Sequence, residues 1–382
     1  MGKKVDFLEG IRTLSVMAVM LHHFFFAFMP ALITGNVDQS HTVFHIETFI
    51  ARSPLNIFYN GNFAFFLLFV VSGFVLSYKF FKTKSIEVVQ QSAAKRYFRL
   101  VVPVFVSVFI AYWFMKLNLF ANMPVSVITH SYNWLNKSWN FVPNFFAMLY
   151  EGLVGTFFFG TAKYNSVLWM MRYEFFGSFL VFGFLALFGK VKARYLLYVV
   201  LSLVFLQTFY LSFILGIILA DLYVHDHPLL RNIPTPVLAV LAIVGVFFAS
   251  YPIAMKTADT MYAMLRLPFL KSYVSFYHSI GAVMLLLVIF NVTWVKNFLS
   301  LKPFVTFAKL AFSLYLLHQI VLFSVTCYSF LFFEDKLSYF QNIAVSGALS
   351  LVVLLVAAVV MYNIVEKNGQ KMTQYIYSKL FS

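Results

Sequence analysis

The stretch FLEGIRTLSVMAVMLHHFFFAFM, residues 7–29, decides how this chain is read. It is apolar and long enough to cross a bilayer as a helix, which takes about 20 such residues. Set into it are Arg12 and His23, eleven positions apart. At about 100° per residue, eleven steps return to within about 20° of the starting face. At about 1.5 Å per residue the two lie roughly 16 Å apart along the axis. Glu9 falls within about 40° of the His23 face, so Glu9, Arg12 and His23 form one polar stripe. Ionisable groups at that depth are costly and by default mark a functional site. The plainer readings are an Arg12 that snorkels to the interface and a His23 that only bonds a neighbouring helix. His22 points to a different face.

The rest of the chain sets this helix in lipid. Of its 382 residues 62% are hydrophobic and only 11% charged, with a mean hydropathy of +0.85. Soluble domains carry roughly 25% charged residues, so this chain cannot cover itself with polar surface in water. Its 50 Phe and 22 Tyr suit lipid-facing and interfacial positions. The net charge of +15 raises nucleic acid as a partner. Lys and Arg instead cluster in short loops on one side, the positive-inside pattern, and no nucleic acid is expected. The single Cys327 allows neither an intrachain disulfide nor a thiolate metal site. The first apolar run lacks a small-residue cleavage site and is too long for a signal-peptide core, so it is expected to remain as a transmembrane helix.

The expected fold is therefore all-α and integral to the membrane, with about ten transmembrane helices around a polar cavity. The spans fall near 7–29, 62–81, 98–119, 167–188, 194–207, 209–224, 235–251, 277–292, 308–330 and 339–364. The fifth and sixth share one apolar stretch, split at Gln207 and Thr208 because it is long for a single span. Lys3, Lys4, Lys79, Lys82, Lys84, Lys95, Arg96, Arg99, Lys190, Lys192, Arg194, Lys367, Lys371 and Lys379 then fall on one side. That side is read as cytoplasmic, with both termini there, in the cell membrane. Residues 1–382 read as one domain without a fused soluble domain. The long outer loop 118–166 carries Tyr132, Trp134 and Trp139. It reads as a lid or as a re-entrant segment anchored by its Trp residues.

Further polar residues interrupt later spans. Glu174, in Leu168-Trp169-Met170-Met171-Arg172-Tyr173-Glu174, is expected at a depth similar to that of His23. A carboxylate there would orient the imidazole and stabilise its charged form; the alternative is a structural pair with Arg172 or another Arg. Tyr315 and His318 lie one turn apart, as lining of a polar cavity or as interhelical hydrogen bonders. Arg96 and Arg99, one turn apart before Pro103, suit a phosphate in fork geometry or anchor the helix at the interface. His41 and His45 are spaced like metal ligands, but local carboxylates are sparse and no metal is expected. No Gly-rich phosphate loop, HExxH or GxSxG is present.

In order along the chain, several segments resemble the membrane acyltransferase 3 family. Glu9-Gly10-Ile11-Arg12 through His22-His23-Phe24 is similar to its first-helix signature. Phe69-Val70-Val71-Ser72-Gly73-Phe74 resembles its FxxSGF pattern, and Arg96 to Pro103 its RxxRxxxP segment. Leu168-Trp169 through Glu174 resembles LWxxxxE, and Gly177-Ser178 follows as in a subset of members. Phe213 to Ala220 is similar to FxxGxxxA, Ser313 to His318 to SxYLxH, and Val365-Glu366-Lys367 to the closing xEK. The chain departs at Arg172, where the family usually has a small or apolar residue.

The resemblance implies an enzyme that moves an acyl group, commonly acetyl, from cytoplasmic acyl-CoA to a hydroxyl of a surface carbohydrate, glycolipid or small molecule. It implies Arg12 and His23 as the essential pair and Glu174 as the acidic residue of the fourth segment. Arg96, Arg99 and Arg12 are then expected to hold the acyl-CoA phosphates, with Tyr315 and His318 lining its path. His23 serves as base or takes the acyl group itself. A transporter of a small anionic or sugar substrate is the rival reading, since intramembrane Arg, His and Glu also build substrate pathways. Partners beyond membrane lipid, acyl-CoA and the acceptor, and the oligomeric state, are left open.

Overall fold

The computed structural model describes residues 6–258, 260–267, 270 and 272–381, with side chains described through residue 379. The expected cations Lys3 and Lys4 lie outside the described residues. The described residues contain helices and loops and no strand. This follows from a sequence that is apolar over whole spans, where a helix satisfies every backbone N–H and C=O within itself.

Seven helices among the described residues are long and apolar enough to cross a membrane. They are α1 (Asp6–Phe28), α2 (Gly61–Thr83), α3 (Ile86–Lys116), α5 (Ser166–Phe188), α9 (Tyr273–Asn291), α10 (Ala311–Phe333) and α11 (Tyr339–Lys379). Four shorter apolar helices complete the set: α4 (Phe145–Phe159), α6 (Arg194–Val204), α7 (Tyr210–Val224) and α8 (Thr235–Ala249). Each of the ten expected spans thus has a helix, but three of those helices fall short of full membrane length. α6 and α7 break at Gln207 and Thr208 as read from the sequence. The helix α4 lies inside the stretch expected to be a long outer loop. Its π-helical part, Glu151–Phe159, is a Gly-containing apolar run that the sequence reading passed over.

Helix ends carry the caps their residues dictate. Asn60 Oδ1 accepts from Phe63 N at 3.0 Å at the start of α2, and Asn144 Oδ1 from Ala147 N at 3.0 Å at the start of α4. Ser338 and Gln341 form a capping box at the start of α11. Pro103 sits inside α3, where it has no N–H to offer the carbonyl one turn earlier.

The chain divides into two compact units. The first comprises residues up to Val19, Phe49–Arg96 and Tyr173–Ala308; the second comprises Met20–Thr48, Tyr97–Arg172 and Lys309–Ser382. In the first unit α2 and α7 pack backbone to backbone. A methyl group on Gly216 would overlap the Val70 carbonyl oxygen and lie 2.9 Å from the Cα of Gly73. Only glycine permits such an approach, the small-residue packing that lets apolar helices associate in lipid. Gly216→Val is expected to lower the melting temperature in detergent sharply, because overpacking costs about 1–3 kcal/mol and the obstacle here is backbone. A parent-like melting curve would show that the helices can move apart without loss.

Buried polar groups tie the other helices of this unit. Asp221, fully buried on α7, accepts Arg194 Nε at 2.6 Å and Nη2 at 3.1 Å, and the Tyr198 hydroxyl at 2.8 Å, all from α6. The fork geometry suits a guanidinium and a carboxylate removed from water. Ser212 and Ser279 join α7 to α9 at 2.8 Å.

Candidate active site

In the second unit, α1 presents His23 to α10. Its Nδ1 lies 2.9 Å from His318 Nε2, with the two rings stacked at 5.0 Å. His318 is buried, and its own Nδ1 lies 2.7 Å from the Tyr315 carbonyl oxygen. A carbonyl can only accept, so His318 Nδ1 carries the proton. In the neutral ring Nε2 then carries the lone pair and accepts from His23 Nδ1–H. It follows that a neutral His23 has its one basic lone pair on Nε2, and the chain of bonds selects that tautomer. In this tautomer Nδ1 of His23 donates to His318 and Nε2 carries the basic lone pair.

The long segment between α3 and α5 supplies the next layer. Trp134 stacks on His23 at 5.4 Å and 11°, and on Phe26 at 5.0 Å and 7°. The segment is tied down by Ser131 Oγ donating to Phe26 O at 2.7 Å. Asn122 Nδ2 donates to Leu135 O at 2.7 Å, and Trp139 Nε1 to Tyr164 O at 2.7 Å. The Trp residues read as a lid or interfacial anchors therefore include one that covers the imidazole. An indole face there is suited to hold an imidazolium when His23 takes a proton.

The Tyr315 hydroxyl donates to the Val167 carbonyl, and Ser313 donates to Glu366. Asn165, fully buried, donates to the Leu316 carbonyl at 2.8 Å. Ser166 and Gln319 bond at 2.5 Å. These ties fix α10 against the start of α5 and hold His318 in place.

In the first unit Glu174 accepts from two donors. Its Oε1 accepts from Ser72 Oγ at 2.8 Å and from Arg96 Nη2. The pair is only slightly accessible, with side chains 11% and 17% exposed. Arg96, assigned from the sequence to a phosphate, is thus committed to a carboxylate. The ion pair foreseen as the alternative for Glu174 is made with Arg96, while Arg172 is exposed. Physically, a carboxylate at membrane depth takes the strongest donor available, and a guanidinium outranks a neutral imidazole. Ser72 was not singled out from the sequence as a site residue.

Arg12 pairs with Glu9 on its own helix, Nη1 to Oε1 at 3.2 Å, and keeps a third of its side chain accessible. Arg99 is exposed on α3. His41 is not aimed at a metal. Its Nε2 meets the Thr129 carbonyl at 3.1 Å and its ring stacks on Tyr339 at 4.1 Å. Burial lowers its pKa below the ordinary histidine value, with the Thr129 bond opposing. His45 is exposed. No group of three or more His, Cys, Asp or Glu among the described residues is placed to hold a metal ion.

A family model described as an acyltransferase domain matches residues 5–362, nearly the whole chain. The chain belongs to the acyltransferase 3 family. No curated protein and no solved structure matches it. Membership implies that this membrane protein is an acyltransferase. The segments that resemble acyltransferase 3 signatures are the ones that meet in the fold. FxxSGF, RxxRxxxP and LWxxxxE converge as Ser72, Arg96 and Glu174. The first-helix signature meets SxYLxH as His23 and His318, and SxYLxH meets xEK as Ser313 and Glu366.

Proposed function

We propose that this acyltransferase moves an acyl group, with acetyl the expected one, from cytoplasmic acyl-CoA to a carbohydrate hydroxyl at the outer face of the cell membrane. His23 Nε2 is the general base in this reading. It takes the hydroxyl proton as the oxygen attacks the thioester carbonyl. The carbon–sulfur bond breaks, and the proton passes from His23 to the departing thiolate. The acylated carbohydrate and free CoA leave, and the imidazole returns to its starting state.

The observation that carries the reading is the hydrogen-bonded series from the Tyr315 carbonyl through His318 to His23. It leaves the basic nitrogen on the side away from His318, as a base requires. His318 is then a positioning residue, doing for His23 what a carboxylate was expected to do. When His23 is protonated, the charge spreads toward His318 and faces the indole of Trp134. Both termini lie on the cytoplasmic side in this reading, as the loop charges favour.

Acyl-CoA contacts narrow to the cations that keep accessible surface. Arg99 is exposed and Arg12 is partly so, whereas Arg96 is bound to Glu174 and His318 to His23. The donor's phosphates compete with Glu9 for Arg12. Purified protein in detergent, given labelled acetyl-CoA and a mixed glycan acceptor, is expected to form labelled O-acyl carbohydrate and free CoA. Label confined to acetyl-CoA under conditions where the protein binds it would overturn the reading.

A further inference from the structure

The first unit holds a cavity of about 530 Å³, within the size range of small-molecule sites. Four stretches and Arg266 meet there: the start of α2, Phe209 beside α7, residues Tyr251–Ala258 after α8, and Ser272–Ser275 at the start of α9. By the loop charges all four lie on the side read as outward. Phe66, Phe209, Tyr251 and Tyr273 supply aromatic walls, and Lys256 and Arg266 supply cations. None of the described lining residues is a carboxylate. Neither cationic side chain makes a hydrogen bond or ion pair to another described residue. Both line the cavity.

The segment that carries the two cations is a built structure. Tyr262 is fully buried, and its hydroxyl donates to Ser250 Oγ at 2.9 Å. Its ring stacks on Phe247 at 5.1 Å and meets Tyr251 at 5.7 Å. Tyr277 donates its hydroxyl to Leu265 O at 2.5 Å, one residue before Arg266. Buried His278 Nε2 lies 2.9 Å from Tyr251 O. Asn56 and Asn60 bind the carbonyls of Ser250 and Ala249 at 2.8 and 3.2 Å, fixing α2 to the end of α8. These hydrogen bonds hold the segment that places Lys256 and Arg266 beside the aromatic walls.

We infer that this cavity binds an acidic carbohydrate, a pyranose bearing a carboxylate or phosphate group, as the acceptor of the transfer. The inference rests on the proposed carbohydrate acceptor and specifies its charge. Aromatic faces pack against the C–H surface of a sugar ring, and a guanidinium with an ammonium nearby matches an anionic substituent. A neutral sugar leaves both cations without a counter-charge, which is the element of discrimination.

The test is calorimetric titration of the full chain in neutral detergent. The probes are trigalacturonate, maltotriose, glucose 1-phosphate and phosphatidylglycerol in mixed micelles. Trigalacturonate and glucose 1-phosphate are expected to bind at least tenfold tighter than maltotriose. The K256Q/R266Q double variant is expected to lose that margin while melting as the parent does. Equal binding of acidic and neutral sugars overturns the inference, as does undiminished binding by the double variant. Phosphatidylglycerol that binds through Lys256 and Arg266 and excludes the acidic sugars also overturns it, in favour of a lipid headgroup. These are direct binding measurements, so they stand apart from the transfer assay. A protein that acylates carbohydrate but ignores charge loses only the pocket assignment, and one that binds acidic sugar without transferring acyl groups loses only the enzymatic reading.

Discussion

His23→Ala protein that folds and still binds acyl-CoA is expected to transfer acyl groups about 10²–10⁴-fold more slowly than the parent, the usual cost of removing a positioned general base. The loss is expected in kcat, because His23 acts on the proton in flight and makes little contribution to holding the donor. His318 provides the sharper control, since it is argued to act only through His23. His318→Gln retains an acceptor oxygen that can receive the His23 Nδ1 proton, whereas His318→Leu retains none. The Gln variant is expected to keep most of the activity and a parent-like pH profile. The Leu variant is expected to lose activity and to shift the acidic limb of that profile, because the tautomer and orientation of His23 are no longer set. If both variants fall equally, His318 serves packing alone. Full transfer by folded His23→Ala protein would remove the base from the scheme altogether.

The parts of this molecule that sequence made legible are those governed by local periodicity and transfer energy. Each apolar run became a helix because lipid leaves the backbone no other partner. The break at Gln207 and Thr208 was visible because both interrupt an otherwise apolar stretch. Length was less legible: α6 and α7 end at Val204 and begin at Tyr210, so the connection consumed residues that hydropathy alone assigned to spans. The apolar run that became α4 was hidden in a segment whose Trp, Pro and Asn residues read as loop.

Site residues were legible as types and positions, and much less so as pairs. Arg12, His23, Glu174 and His318 stand out because any polar group in such surroundings does. Which of them meet depends on how helices rotate and pair across the fold, and sequence spacing carries no information on that. Glu174 went to Arg96 and Ser72, and His23 went to His318. The available signal was stoichiometric. With Arg96 on a signature segment close to a span, the strongest donor for a membrane carboxylate was already present, and the imidazole was then left to find a different partner. The cations of the cavity gave no signal at all, since Lys256 and Arg266 lie between α8 and α9, outside any span.

The ion pair between Arg96 and Glu174 carries the second large expectation. Arg96→Leu and Glu174→Leu are each expected to destabilise the protein by about 3–5 kcal/mol, because each strands a nearly inaccessible charge. Glu174→Gln is expected to spare the Ser72 bond and still leave the guanidinium without its counter-charge. The Arg96→Met/Glu174→Leu double variant, in contrast, removes both charges and fills a similar volume, so it is expected to recover most of the lost stability. The double-mutant cycle therefore isolates the coupling between the two charges from the packing of their stems, and it is read from unfolding in detergent or in mixed lipid micelles. Additive losses would mean that the two side chains are not energetically paired. Activity in the double variant then separates two roles for Glu174 that stability alone merges. Recovered stability with parent-like transfer makes the carboxylate a tie between α2, α3 and α5. Recovered stability with transfer still down by 10²-fold or more makes it a participant in the reaction, since the fold would be intact and only the chemistry missing.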